Sequence, residues 1–239
     1  MIHVLAIGLS PNDRNRLAAM ISAPVHAATG TGYGHDPNHP SAVVFKDIDR
    51  SRLEAVLEER FDIHVEWTEP EPTATILRGR HPPLAISMTT RSAFQSLSGS
   101  AIAHGLVARN VLPGNNAAAV ASAVQEALSN AVIHGNLGMR LDQDAGDRDF
   151  IAFHEEIARR IAGLDGLARR VVIGASWTAS EVSISIADEG DGFRAPSESP
   201  DLSDALAGRG LLIMKTHASR VAYQEGGRVA VLTFDRNAR

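Results

Sequence analysis

The stretch Gln125-Glu126-Ala127-Leu128-Ser129-Asn130-Ala131-Val132-Ile133-His134-Gly135 decides the reading of this 239-residue chain. At about 100° per residue, segment 117–134 is predicted to be an amphipathic helix. Val120, Val124, Ala127, Leu128, Ala131 and Val132 fall on one half, and Ser122, Gln125, Glu126, Ser129, Asn130 and His134 on the other. Glu126, Asn130 and His134 stand at successive i+4 steps, so their side chains line up in one ridge. Most polar helix faces are simply solvated. Ile133, however, projects into the polar half between Glu126 and Ser129, which points to a partly covered face, as the floor of a pocket is. The asparagines of Leu112-Pro113-Gly114-Asn115-Asn116 can cap the start of this helix, and Gly135 is expected to stop it in a left-handed conformation.

Two segments farther along carry related chemistry. Strand 181–188 alternates Val182, Ile184 and Ile186 with Ser183, Ser185 and Ala187, giving one buried and one polar face. It leads directly into Asp188-Glu189-Gly190-Asp191-Gly192-Phe193. An aspartate at a strand end can accept a hydrogen bond from an exocyclic amine, and Gly190 and Gly192 allow a tight turn close to a planar ligand. The third segment, Gly208-Arg209-Gly210-Leu211-Leu212-Ile213-Met214, opens an apolar helix whose free N–H groups suit phosphate. Its spacing is neither GxGxxG nor GxxxxGK[ST]. Each of the two is weak alone, since an acidic glycine-rich turn is usually only a turn.

Together and in this order, the three segments resemble the N, G1 and G2 boxes of the Bergerat-fold (GHKL) superfamily of gyrase, chaperone ATPases, histidine kinases and MutL. They are most similar to the anti-sigma-factor serine kinase branch. The resemblance covers about 150 residues and implies an α+β fold: a two-layer α/β sandwich, a mixed sheet covered by helices on one face. It also implies ATP and Mg²⁺ as ligands. Residue by residue, Glu126 would be the catalytic base, Asn130 would hold the Mg²⁺, and Asp188 would bind the adenine amine. Gly190, Gly192 and Phe193 would shape the base pocket, Gly208, Arg209, Gly210 and Leu211 would wrap the phosphates, and residues 194–207 would be a lid. His134 is expected on the phosphate side or in a structural role. A neutral amide is a suitable ligand for a hard cation that keeps several waters, and a carboxylate can deprotonate a hydroxyl.

The first eighty residues read as a small α/β domain. Strands at 3–8, 42–45 and 62–67 alternate with helices at 11–21 and 49–60. The alternation resembles a receiver domain, but Asn12-Asp13 and Asp47 are poor stand-ins for a receiver's acidic cluster and phosphoacceptor and the unit is short; a structural appendage is the preferred reading and a degenerate receiver the alternative. A linker is expected at 68–83, where Pro70, Pro72, Pro82 and Pro83 accumulate. The division is therefore 1–80 and 83–239. The second unit is expected to contain a strand at 84–89, a helix at 94–110, a polar insert and a helix at 150–162. A strand at 171–177, a helix from 211 and a hairpin at Gly226-Gly227 complete it.

A hydrophobic fraction of 44% and a charged fraction of 21% are those of an ordinary globular chain. The net charge of −5 argues against a broad nucleic-acid surface, and the lack of cysteine excludes disulfides and thiolate metal sites. No apolar run spans a bilayer, so a cytoplasmic protein without a membrane partner is expected. A histidine kinase needs a phosphoacceptor histidine upstream. His104 lacks an acidic neighbour, and His154, in Phe153-His154-Glu155-Glu156, follows the first box; with Ala158 at i+4, it is not a metalloprotease signature either. The resemblance thus implies a serine/threonine kinase acting on a small regulatory protein, such as an anti-sigma-factor antagonist, with a sigma factor as a further partner and a homodimer left open. The alternative is an ATP-binding adaptor that regulates a partner by lid closure or dimerisation with little turnover.

Overall fold

The computed structural model describes residues 2–28, 41–46, 50–96, 98–140, 147–163, 169–192 and 209–236. Its first half runs β1 (His3–Ile7), α1 (Pro11–Ile21), β2 (Val25–Ala27), β3 (Ser41–Phe45), α2 (Arg50–Glu58), β4 (Ile63–Glu66), α3 (Pro70–Arg78) and β5 (Leu84–Thr89). Then come α4 (Thr90–Gln95), α5 (Ser98–Ala108), α6 (Ala117–Asn130), a π turn (Ala131–Asn136), α7 (Asp147–Ala162), β6 (Arg170–Trp177) and β7 (Glu181–Asp188). Helix α8 (Arg209–His217) and the strands β8 (Arg220–Gln224) and β9 (Val229–Asp235) close the described chain.

All the described strands form one mixed sheet in the order β2-β1-β3-β4-β5-β6-β7-β9-β8. The first five are parallel, in the order of flavodoxin-like doubly wound sheets. β5 pairs in parallel with β4 and antiparallel with β6, so the expected boundary near residue 83 falls inside a continuous sheet. The remaining pairs are antiparallel.

Helices cover both faces of the parallel half, which is why β3 is buried along its whole length. On one face Val4, Val44 and Val65 pack with Leu17 of α1 and with Ala74 and Leu77 of α3. On the other, Val43 and Phe45 belong to the core shared with Leu53 and Leu57 of α2 and Ile102 and Leu106 of α5. That core continues without interruption under α6, through Ile173, Ile184 and Leu232. The opposite face of the antiparallel half carries Val172 and Ser176, both exposed, and Ser183 and Ser185, half-buried. The α+β fold is therefore present, with helices over one face of the antiparallel half, and the β-α alternation at the start adds parallel strands to its edge.

Three expectations need correction. The supposed linker contains α3, with Pro70 and Pro72 in its first turn, where a missing N–H costs nothing. The expected helix 94–110 is two helices: Thr89 caps α4 by accepting from the Ser92 N–H, and the hydroxyls of Ser96, at the end of α4, and Ser98, at the start of α5, bond to each other across the break. A short strand, β2, pairs beside β1 between the expected helix 11–21 and strand 42–45, where the sequence marks no strand.

A buried arginine ties the two halves together. Arg170, at the start of β6, donates from Nη2 to the carbonyl oxygens of Glu66 (2.9 Å) and Ser87 (3.0 Å) and from Nε to Ser87 Oγ (2.7 Å). Glu66 is buried too, and its carboxylate accepts from Thr89 N and Ser92 Oγ, both at 2.6 Å. Burial lowers the Arg170 pKa, while Glu66 and Glu189 act to restore it. Two opposite charges can share so dry a place only because nearly all their polar atoms have partners.

Candidate functional site

Helix α6 presents the expected ridge. Val120, Ala123, Val124, Ala127 and Leu128 are buried, whereas Gln125, Glu126, Ser129 and Asn130 are half-buried. Ile133 is partly buried and packs against the core, so the polar half is partly covered as its position suggested, although Ser122 and His134 are exposed. The helix then widens into the π turn, a geometry frequent at functional sites. His134 is exposed and donates from Nδ1 to the Met139 carbonyl oxygen at 2.7 Å. The left-handed residue that ends this segment is Gly138, with φ of 61°, not Gly135.

Gly135 is required for space instead. A Cβ there would lie 2.5 Å and 2.6 Å from the two carboxylate oxygens of Asp188. Asp188 Oδ1 accepts from the Gly190 N–H at 2.8 Å, and a Cβ on Gly190 would meet the Gly135 carbonyl carbon at 2.5 Å. The end of the first motif and the turn of the second are thus in direct contact. Oδ2 of Asp188 has no hydrogen bond among the described residues, leaving it as an acceptor. Burial pushes the Asp188 carboxyl above the usual aspartate range. The Gly190 N–H and the charges of Arg228 and Arg169 oppose that shift, and Glu189 adds to it.

The third motif reaches the same ridge. Gly210, in the first turn of α8, lies over α6, where a Cβ would be 2.8 Å from Glu126 Oε2 and 3.8 Å from Asn130 Nδ2. Arg209 is exposed at the helix start, and Leu211 is half-buried against the core. Along one helix face, Asp188 therefore lies at the Gly135 end, with Asn130 and Glu126 under the start of α8. Beyond Glu126, on the Ser122 side, opens a groove of about 470 Å³ whose walls include Arg50, Ser100, Gln125 and His217. Gly192 sits in the turn after Asp188 with φ of 76°, and a Cβ there would meet the Gly226 backbone. Phe193, Gly208 and the expected lid at 194–207 lie outside the described residues, as does Asp47.

Residues 99–234 match the histidine kinase-like ATPase domain. The chain belongs to that family. It therefore carries a kinase-like, ATP-binding domain of the GHKL superfamily, and the match begins within α5, after the parallel half. A search of curated proteins found no match to the chain. For an ATPase of this family, the arrangement supplies a carboxylate acceptor in a tight corner, an amide and a carboxylate one turn apart, and a helix start above them.

Among the described residues no cluster of three His, Asp or Glu side chains could hold a metal ion, and no helix is long and apolar enough to cross a membrane. His104 and His154 are exposed on α5 and α7. Of the receiver-like candidates, Asp13 lies in the first turn of α1, which Ser10 caps; Ser10 Oγ accepts from the Asp13 N–H and donates to the Asp13 carboxylate at 2.8 Å.

Asn136 belongs to none of the three motifs. It follows the quoted stretch directly, and only its burial and distant partners reveal it.

Proposed function

We propose that this chain is an ATP-dependent serine/threonine protein kinase of the anti-sigma-factor type, acting on a small regulatory protein. The observation that carries this reading is the convergence of the three motifs on one face of α6, with Glu126 and Asn130 under Gly210 and Asp188 against Gly135. In this reading Asp188 accepts the adenine amine, Gly190 and Gly192 keep the base corner open, and the start of α8 with Arg209 faces the phosphates.

The donor set fits Mg²⁺. A neutral amide at Asn130, with no cluster of three His, Asp or Glu side chains beside it among the described residues, suits an ion held chiefly by phosphates and water. Bound there with the nucleotide, the ion would neutralise phosphate charge. Glu126 takes the proton of the acceptor hydroxyl as its oxygen bonds to the γ-phosphorus. The bond from that phosphorus to the bridging oxygen breaks, and ADP leaves. Positioning supplies most of the acceleration in such transfers, and the groove beside Glu126 gives an acceptor segment room to approach.

The test is transfer from γ-labelled ATP, with Mg²⁺, to an anti-sigma-factor antagonist bearing an acceptor serine. Glu126→Ala is expected to transfer about 100-fold or more slowly while binding ATP nearly as well. Transfer at the wild-type rate by Glu126→Ala would remove the kinase assignment, and ATP binding without transfer by the wild type would favour an adaptor.

A further inference from the structure

We propose that Asn136 is a positioning residue that sets the site's preference for adenine, an inference that rests on Asp188 being the acceptor for the adenine amine. Asn136 is 5% exposed, and every polar atom of its side chain is used. Oδ1 accepts from the Glu189 N–H at 2.8 Å, and Nδ2 donates to Thr90 Oγ1 at 2.8 Å and to the Arg170 carbonyl oxygen at 2.9 Å. One short side chain thereby joins the end of the π turn, the end of β7, the start of β6 and the start of α4.

The consequence for Asp188 follows from connectivity. Gly135, on which the Asp188 carboxylate rests, immediately precedes Asn136, and Glu189, which Asn136 holds by its N–H, immediately follows Asp188. Glu189 is fixed a second time, because its carboxylate accepts from the Arg170 N–H at 2.8 Å. The main chain of Asn136 is held as well, its carbonyl accepting from Arg169 Nη1 at 2.7 Å. Both walls of the corner are thus pinned through the same amide. Removing it leaves Asp188 in place chemically but lets its carboxylate drift from the position that the Gly135 contact and the Gly190 N–H define. A group that reads an exocyclic amine by one hydrogen bond loses selectivity when its direction is loose, even if binding of the phosphates persists.

The experiment compares ATP with inosine triphosphate, in which a carbonyl replaces the amine and N1 carries a proton, by titration into the full chain. The wild type is expected to prefer ATP by about 100-fold, and Asp188→Asn to lose that preference. Asn136→Ala is expected to fall below about 5-fold, and Thr90→Val, which removes one partner of Nδ2, to lie between. A merely structural role would lower the melting temperature of Asn136→Ala and leave the ratio intact, which would overturn the proposal. Should Asn136→Ala not fold, Thr90→Val decides: an unchanged ratio overturns the proposal and a reduced one supports it. If wild type and Asp188→Asn show the same ratio, the assignment of Asp188 itself fails, a result distinct from failure of Asn136 alone.

Discussion

Gly135→Ala is expected to weaken ATP binding by about 10- to 100-fold while the chain stays folded. The new methyl would sit 2.5 Å and 2.6 Å from the Asp188 oxygens, well inside contact distance. The carboxylate has little freedom to retreat: Oδ1 is bonded to the Gly190 N–H, and Gly190 itself lies against the Gly135 carbonyl. Overpacking of this kind costs about 1–3 kcal/mol, equivalent in a chain of this size to a melting-temperature drop on the order of 5 °C. Binding loses more, because the acceptor must leave its place and a hydrogen bond to a charged group is worth about 1.5–3 kcal/mol. The control is Gly114→Ala, where an added Cβ meets nothing within 4 Å. Titration with ATP and thermal melting check both parts. An affinity for Gly135→Ala within about threefold of wild type would show that the Gly135–Asp188 contact does not shape the pocket.

The second large effect concerns acid stability and lies away from the site. His64 on β4 is fully buried. Its Nε2–H donates to the Phe61 carbonyl oxygen at 2.9 Å, and Nδ1 has no partner among the described residues. Burial above all, and then the nearby Arg109 guanidinium, lower its pKa to about 3, against a smaller upward pull from Phe61. Arg109 cannot move away easily, since Nη2 donates to the same Phe61 oxygen at 2.7 Å. Above pH 6.5 the ring is neutral whether the chain is folded or not, and it contributes no pH dependence. Between pH 6.5 and about 3 the unfolded chain binds a proton that the folded chain excludes, so stability falls as pH falls. By pH 5 the loss from this residue is about 2 kcal/mol. Urea unfolding at pH 7.5 and pH 5 should therefore show a smaller difference for His64→Gln than for wild type, by about that amount. Identical pH dependence in the two proteins would mean that the ring is protonated in the folded state or is solvated.

Much of this architecture was legible in the residues. The alternation of Val182, Ile184 and Ile186 set strand β7 and its buried face, and the polar ridge of α6 carried Glu126 and Asn130 to the covered side, as Ile133 indicated. What escaped depends on long-range pairing or on space. Pro70 and Pro72 punctuate a linker and start a helix equally well, and only the packing of Ala74 and Leu77 into the core selects the helix. The continuity of the sheet rests on β5 finding β4 on one side and β6 on the other, contacts that no local pattern encodes. Gly135 reads locally as a helix stop, but its requirement is for space, because the nearness of Asp188 exists only after folding. Asn136 looked like the first residue of a polar insert, and its partners lie 34 to 53 positions away.

The central claim is that Asp188, Asn130, Glu126 and the start of α8 form one ATP site. Isothermal titration of ATP with Mg²⁺ into the full chain and into Asp188→Asn tests it most directly. The expected result is a single saturable site in the wild type, weakened about 10- to 100-fold in the variant by loss of one charged hydrogen-bond acceptor. Equal affinity in the two proteins, or no binding of ATP by the wild type, would contradict the account.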